Sequence, residues 1–166
     1  AKVVKTVEQE MLGESKSSRG DFYFSKGKMR LEITEPEKST VVYDGMVIWV
    51  ESRFDESTIE VSKIKSKDLK KSDSLLAALF DKKKNALGSF KLKDVKDGKV
   101  FSFVPKDRKK TEIQHLELEL ESGDLKRVTY KDNLENSVSL VFSEFKEGSV
   151  SKSKFSYSPP KGANVS

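Results

Sequence analysis

With one histidine and no cysteine, this 166-residue chain has few side chains that could do covalent or metal chemistry. Thiol chemistry and metal sites built on Cys and His clusters are excluded, and a Ser-His-Asp arrangement would have to use His115. His115 lies in Ile113-Gln114-His115-Leu116-Glu117-Leu118-Glu119-Leu120, on the strand side shared with Glu117 and Glu119. It therefore reads as a solvent-facing residue. No carboxylate pair, nucleophile with a base or glycine-rich phosphate loop stands out, so the chain reads as no enzyme and implies neither cofactor nor metal. The residues that do carry a pattern are apolar. Met29, Leu31 and Ile33 alternate with Arg30 and Glu32, which makes a strand with one dry face and one wet face.

Several elements have to position that face. Glu35-Pro36 stops the strand, and Asp44-Gly45 falls between two apolar runs, where a tight hairpin turns the chain into Val47-Ile48-Trp49-Val50. This second hairpin is apolar on both sides. Val42 continues the dry face, and the pattern alone does not decide between Ile48 with Val50 and Val47 with Trp49. Further alternating runs follow at Ile59 and Val61, Phe90 and Leu92, and Phe101 and Phe103. Leu116, Leu118 and Leu120 point inward opposite Glu117, Glu119 and Glu121, and Val138, Leu140 and Phe142 form another face. Asp97-Gly98 and Ser122-Gly123 are turns, and Lys154 to Tyr157 reads as a short last strand. Roughly ten strands joined by short turns make one antiparallel meander, closed or partly closed, that offers one continuous apolar face.

Composition agrees with one domain over residues 1–166. Hydrophobic residues make up 35% and charged residues 36%, which suits a curved sheet with a solvated outer surface better than a two-sided parallel sheet. The net charge of +5 is spread along the chain, with its densest clusters at Lys82-Lys83-Lys84 and Lys109-Lys110. No basic face with interleaved aromatics marks a nucleic-acid reader. An anionic membrane surface or an acidic protein is the partner that such charge suggests. No run of about 18 apolar residues could span a bilayer as a helix, and no signal peptide is visible.

One segment breaks the period of two. Between Ser66 and Asn85, Leu75, Leu76, Leu79 and Phe80 recur at helical spacing, Ser72 or Asp73 can cap the start, and three lysines sit at the favourable end of the helix dipole. An amphipathic helix there lays its apolar face on the concave side of the sheet. Two roles stay open on the pattern alone: a plug that completes the core, or a lid over a cavity.

The block from Gly20 to Trp49 and the ending Phe155-Ser156-Tyr157-Ser158-Pro159-Pro160-Lys161-Gly162-Ala163-Asn164-Val165 resemble the LolA family of periplasmic outer-membrane lipoprotein carriers. The resemblance covers nearly the whole chain in the right order. It implies a mainly β fold, an incomplete, unclosed β-barrel with a helical lid. Its interior takes the acyl chains of triacylated lipoproteins released by an inner-membrane ABC transporter, for delivery to an outer-membrane acceptor in the periplasm. The cavity positions it implies are Phe22, Phe24, Met29, Leu31, Ile33, Val42, Ile48, Val50, Leu116 and Leu118, with Leu75, Leu76, Leu79 and Phe80 as the lid.

Two departures from the family pattern stand out. Lys26 occupies the position of an Arg, in an Arg-Pro pair, that latches barrel to lid, and a lysine latch is less directional than a guanidinium. The chain also opens at Ala1-Lys2-Val3 on what reads as the first strand, so the covering helix with which family members begin was either cut away or is absent from this homologue, and the concave face is expected to be under-covered and to recruit a neighbour, a tail or a lipid. A lipid- or glycolipid-binding module, or a periplasmic sensor of the same fold, is the competing reading.

Overall fold

The computed structural model describes residues 1–65 and 86–166, together with Leu75 and Leu79. Twelve strands form: β1 (Lys2–Gln9), β2 (Glu14–Ser25), β3 (Lys28–Glu35), β4 (Ser39–Tyr43), β5 (Val47–Arg53), β6 (Ile59–Lys65), β7 (Phe90–Lys96), β8 (Val100–Pro105), β9 (Ile113–Glu121), β10 (Asp124–Asp132), β11 (Asn136–Ser143) and β12 (Asn164–Val165). They make one sheet in the order β12-β6-β5-β4-β3-β2-β1-β11-β10-β9-β8-β7. Every pairing is antiparallel except β12 on β6. The sheet is unclosed, because β7 and β12 are its two ends.

Turn chemistry sets the register. At Lys26-Gly27, Asp97-Gly98 and Ser122-Gly123 both central residues have positive φ, the pattern of a two-residue hairpin turn whose twist matches that of the strands. Asp44 holds the β4–β5 turn differently. Its carboxylate accepts from the backbone N–H of Met46 and of Val47, at 2.8 and 2.9 Å.

The two faces of the sheet differ in chemistry. The convex side carries a polar row in which Glu117 lies opposite Ser102 and Thr129, Ser139 opposite Thr129 and Thr6, and Thr6 opposite Ser17. Hydrogen bonds run along it between Ser102 and Glu117, Thr129 and Ser139, and Thr6 and Ser17. The concave side is one apolar cluster to which every strand from β1 to β11 contributes.

The expected last strand at Lys154 to Tyr157 is corrected. Lys152–Phe155 is a 3-10 turn that puts Phe155 into the interior, and the strand comes later, at β12. There Ser166 donates to the Val61 carbonyl at 2.9 Å and accepts from the Lys63 N–H at 3.0 Å. Among the described residues the elements are strands and short 3-10 turns, and no helical lid stands among them. Leu75 and Leu79 have helical backbone, while Leu76, Phe80 and the rest of the expected helix lie outside the described residues.

Candidate functional site

Cross-strand register decides which side chains share the concave face, since directly opposed residues of antiparallel strands point the same way. Met29 lies opposite Phe24 on one side and Tyr43 on the other, Tyr43 opposite Ile48, and Ile48 opposite Ile64. One level along, Leu31 lies between Phe22 and Val41, and Val41 faces Val50. Ile48 and Val50 are therefore the inward pair of β5, which resolves the choice that its two-sided apolar sequence left open.

Val42 is corrected by the same register. It lies opposite Arg30 and Trp49, on the convex face, where it is fully buried (0% exposed). Alternation along β4 hands its expected place to Val41 and Tyr43. The Tyr43 hydroxyl donates locally to the Gly45 carbonyl at 3.1 Å.

The other half of the face comes from strands far along the chain. Val3 lies opposite Phe142, Lys5 opposite Leu140, Leu140 opposite Val128, and Val128 opposite Leu118. Tyr130 faces Leu116, which in turn faces Phe103. Leu116 is fully buried, and Leu118 packs against the same cluster. Aromatic rings join the halves: Phe22 lies 5.0 Å from Phe142 and 5.9 Å from Phe24, centroid to centroid. Phe24 is the outermost of these, 48% exposed at the end of the face. Val3, Tyr43, Val128, Tyr130, Leu140 and Phe142 were not assigned from sequence, although the period of two through Val138, Leu140 and Phe142 was a signal for the last two.

A second feature covers the convex side of β3 to β6. The stretch after β11 crosses it, with Phe155 buried and the Tyr157 ring 5.5 Å from that of Trp49. The Tyr157 hydroxyl donates to Glu51, whose carboxylate also accepts from Arg53 and is only 5% exposed as a residue. Burial, then the hydrogen bond to Glu51 and its negative charge, push the Tyr157 hydroxyl well above its ordinary pKa. Arg30 pairs with Glu32 and donates to the Lys154 carbonyl at 3.3 Å, and the Lys154 ammonium sits 4.6 Å over the Tyr23 ring. Glu51 is thus a buried charge that is both paired and hydrogen-bonded, the condition under which such burial is tolerated.

Topology places the remaining segment. β6 and β7 stand toward opposite ends of the strand order, so the chain that joins them links the two sides of the opening. Leu75, buried at 4% exposed, and Leu79 from that segment join the concave cluster. Lys26 occupies the first central position of the β2–β3 turn and is exposed, with φ of 48°. Among the described residues its side chain has no hydrogen-bond or ion-pair partner. The arrangement offers dispersion and hydrophobic contact along a curved wall.

Known proteins give the arrangement a context. The sequence profile described as "Outer membrane lipoprotein carrier protein LolA" matches residues 1–158. A protein from Neisseria meningitidis (serogroup C, strain FAM18) named outer-membrane lipoprotein carrier protein is 27% identical over 157 residues, covering 92% of this chain and 73% of that one. A protein of the same name from Ralstonia nicotianae is 28% identical over 153 residues, covering 90% and 69%. Among solved structures, a LolA superfamily protein from Nitrosomonas europaea superposes with a TM-score of 0.50 at 14% identity, covering 94% of this chain and 88% of that one. This last likeness concerns the fold alone.

Proposed function

The chain belongs to the LolA family of outer-membrane lipoprotein carriers, and from that premise we propose how this fold performs the carriage: the acyl chains of a lipoprotein client lie along the concave face, with Leu75 and Leu79 on the segment that closes over them. The protein is a carrier and not an enzyme, and lipoproteins are its clients. Carriers of this family are periplasmic. In this reading the present chain works in that compartment, taking its client from an inner-membrane ABC transporter and passing it to an outer-membrane acceptor.

The observation that carries the reading is the continuity of the apolar face across eleven strands, from Ile64 on β6 through Met29, Phe22 and Leu140 to Phe103 on β8 and Phe90 on β7. Each buried CH₂ contributes about 0.8 kcal/mol, so a face of this extent can hold long hydrocarbon without any specific polar contact. Delivery sets an upper limit on that hold. The acceptor has to bind the client more strongly than the carrier does, because only a difference in affinity moves the population forward.

The experiment is a capture assay with a triacylated lipoprotein, followed by mass spectrometry of what co-purifies. The parent protein should retain lipoprotein, and Leu79→Glu should retain much less while keeping its β-sheet circular dichroism. Equal capture by Leu79→Glu would remove the closing role from this segment. No capture by the parent would remove the concave face as the acyl site.

A further inference from the structure

Two lysines stand on the face that the rest of the sheet makes of hydrocarbon. Lys5 follows Val3 at the strand period on β1, between Leu140 of β11 and Ser18 of β2. Lys16 lies opposite Val7, which itself lies opposite Val138. Both therefore project on the concave side, as diagonal neighbours about 7–8 Å apart across the β1–β2 pair. Lys5 is half-buried and Lys16 exposed.

Other lysines at either end of these strands are matched. Lys2 pairs with Asp21 at 2.7 Å, and Lys131 with Glu10 at 3.0 Å. Among the described residues, neither Lys5 nor Lys16 has an ion pair or a side-chain hydrogen bond. The carboxylate of β2 on their side is Glu14, opposite Gln9 and one strand period beyond Lys16.

On the β2 to β5 half the concave face changes along its length. Toward the β2–β3 turn it carries Phe22, Met29, Tyr43 and Ile48, and toward the β1–β2 turn it carries Lys16, Ser18 and, on the neighbouring strands, Ser39 opposite Ser52. Across β1 the wall beside the two lysines stays apolar, with Val7 opposite Val138 and Tyr130 opposite Leu116. Lys5 is half-buried as a residue beside Leu140, with a second lysine on the same face. An anion between the two would meet both ammonium groups. A lysine could instead reach water along its own stem, but that alternative gives no preference for one head group over another, which makes the two separable.

We propose that Lys5 and Lys16 hold the anionic head group, a phosphate or a carboxylate, of a lipid whose hydrocarbon lies on the apolar part of the same face. The inference rests on the concave face being the acyl site and adds to it a class of amphiphile: a phospholipid or a free fatty acid.

The test compares ligands matched in hydrocarbon, dioleoyl phosphatidic acid against dioleoylglycerol and oleate against oleyl alcohol, by displacement of a fluorescent fatty-alcohol probe. Two ammonium groups should give at least roughly tenfold tighter binding of the charged member of a pair at low salt, with the gap narrowing as salt is raised. Whichever pair shows it distinguishes phosphate from carboxylate. The Lys5→Gln/Lys16→Gln variant, its fold checked by circular dichroism, should lose the gap and keep its affinity for dioleoylglycerol and oleyl alcohol. Equal binding of charged and neutral members by the parent overturns the head-group site and leaves the acyl site standing. No binding of any of the four overturns both.

Discussion

Replacing Gly20 by alanine should cost this protein about 2–6 kcal/mol. Gly20 lies opposite Ile33 and Val3, at a bulge where the β2–β3 register shifts after Arg19. A Cβ built there would sit 1.8 Å from the Glu32 carbonyl oxygen, 2.7 Å from its carbon and 2.9 Å from the Ile33 Cα. All three obstacles are backbone atoms, so no side-chain rotation relieves the clash. To restore ordinary contact at 3.4 Å, β3 has to retreat by roughly 1.6 Å at this level. That movement weakens about two ladder hydrogen bonds, worth about 0.5–1.5 kcal/mol each, and adds an overpacking penalty of about 1–3 kcal/mol. It also displaces Leu31 and Ile33 from the concave wall. For a chain of this size the loss corresponds to a fall in Tm of roughly 4–24 °C. Thermal and urea melts followed by circular dichroism read it directly. A variant within about 0.5 kcal/mol of the parent, the ordinary range for a harmless surface change, would refute the close approach of the two backbones.

Three further outcomes are expected. Gly27→Pro forces a φ near −65° where the turn has 78°, and should lower stability by at least about 1–3 kcal/mol in urea titrations. Leu75→Ala removes most of a side chain that is 4% exposed, and should cost about 2–5 kcal/mol in the same assay. The raised pKa of Tyr157 means that folding favours its protonated form, so this contribution is fully present below the ordinary tyrosine value of 10.0 and is lost as pH climbs above it. Urea midpoints between pH 9 and pH 11.5 should therefore fall more steeply for the parent than for Tyr157→Phe, and parallel declines would count against the Glu51 contact.

The strands were legible because half-buried antiparallel strands alternate, and the alternation through Met29, Leu31 and Ile33 or through Leu116 and Leu118 survives intact in the fold. Alternation failed where both faces are covered. Val41-Val42-Tyr43 and Val47-Ile48-Trp49-Val50 are apolar on two sides: Val42 is buried on the convex face and Tyr157 packs on Trp49 there, and nothing local to those strands encodes a ring contact that arrives more than a hundred residues later. The first half of β2, Glu14 to Arg19, carries no apolar signal at all, and its pairing with β1 is fixed by the ladder. Lys26 stands at the Arg position of the family's Arg-Pro pair with no proline after it, and the two positive φ values of Lys26-Gly27 make a tight hairpin that proline could not form. The β6–β7 segment is the one whose spacing was helical, and the two residues described within it, Leu75 and Leu79, are on the apolar side expected of them.

The two faces also divide the mechanical work of a carrier. Loading and release require the concave mouth to change while the wall keeps its register, since a slip of one residue would turn every lining side chain outward. On the β3 to β6 half the register is held from outside: Phe155 is buried, Tyr157 and Arg53 converge on Glu51, Arg30 reaches the Lys154 carbonyl, and β12 covers the edge of β6. None of these contacts uses a concave side chain. On the reading proposed above, moving Leu75 and Leu79 off the apolar cluster exposes hydrocarbon surface and leaves the described contacts of the convex brace intact, and the hydrophobic cost of that exposure falls when an acyl chain takes their place.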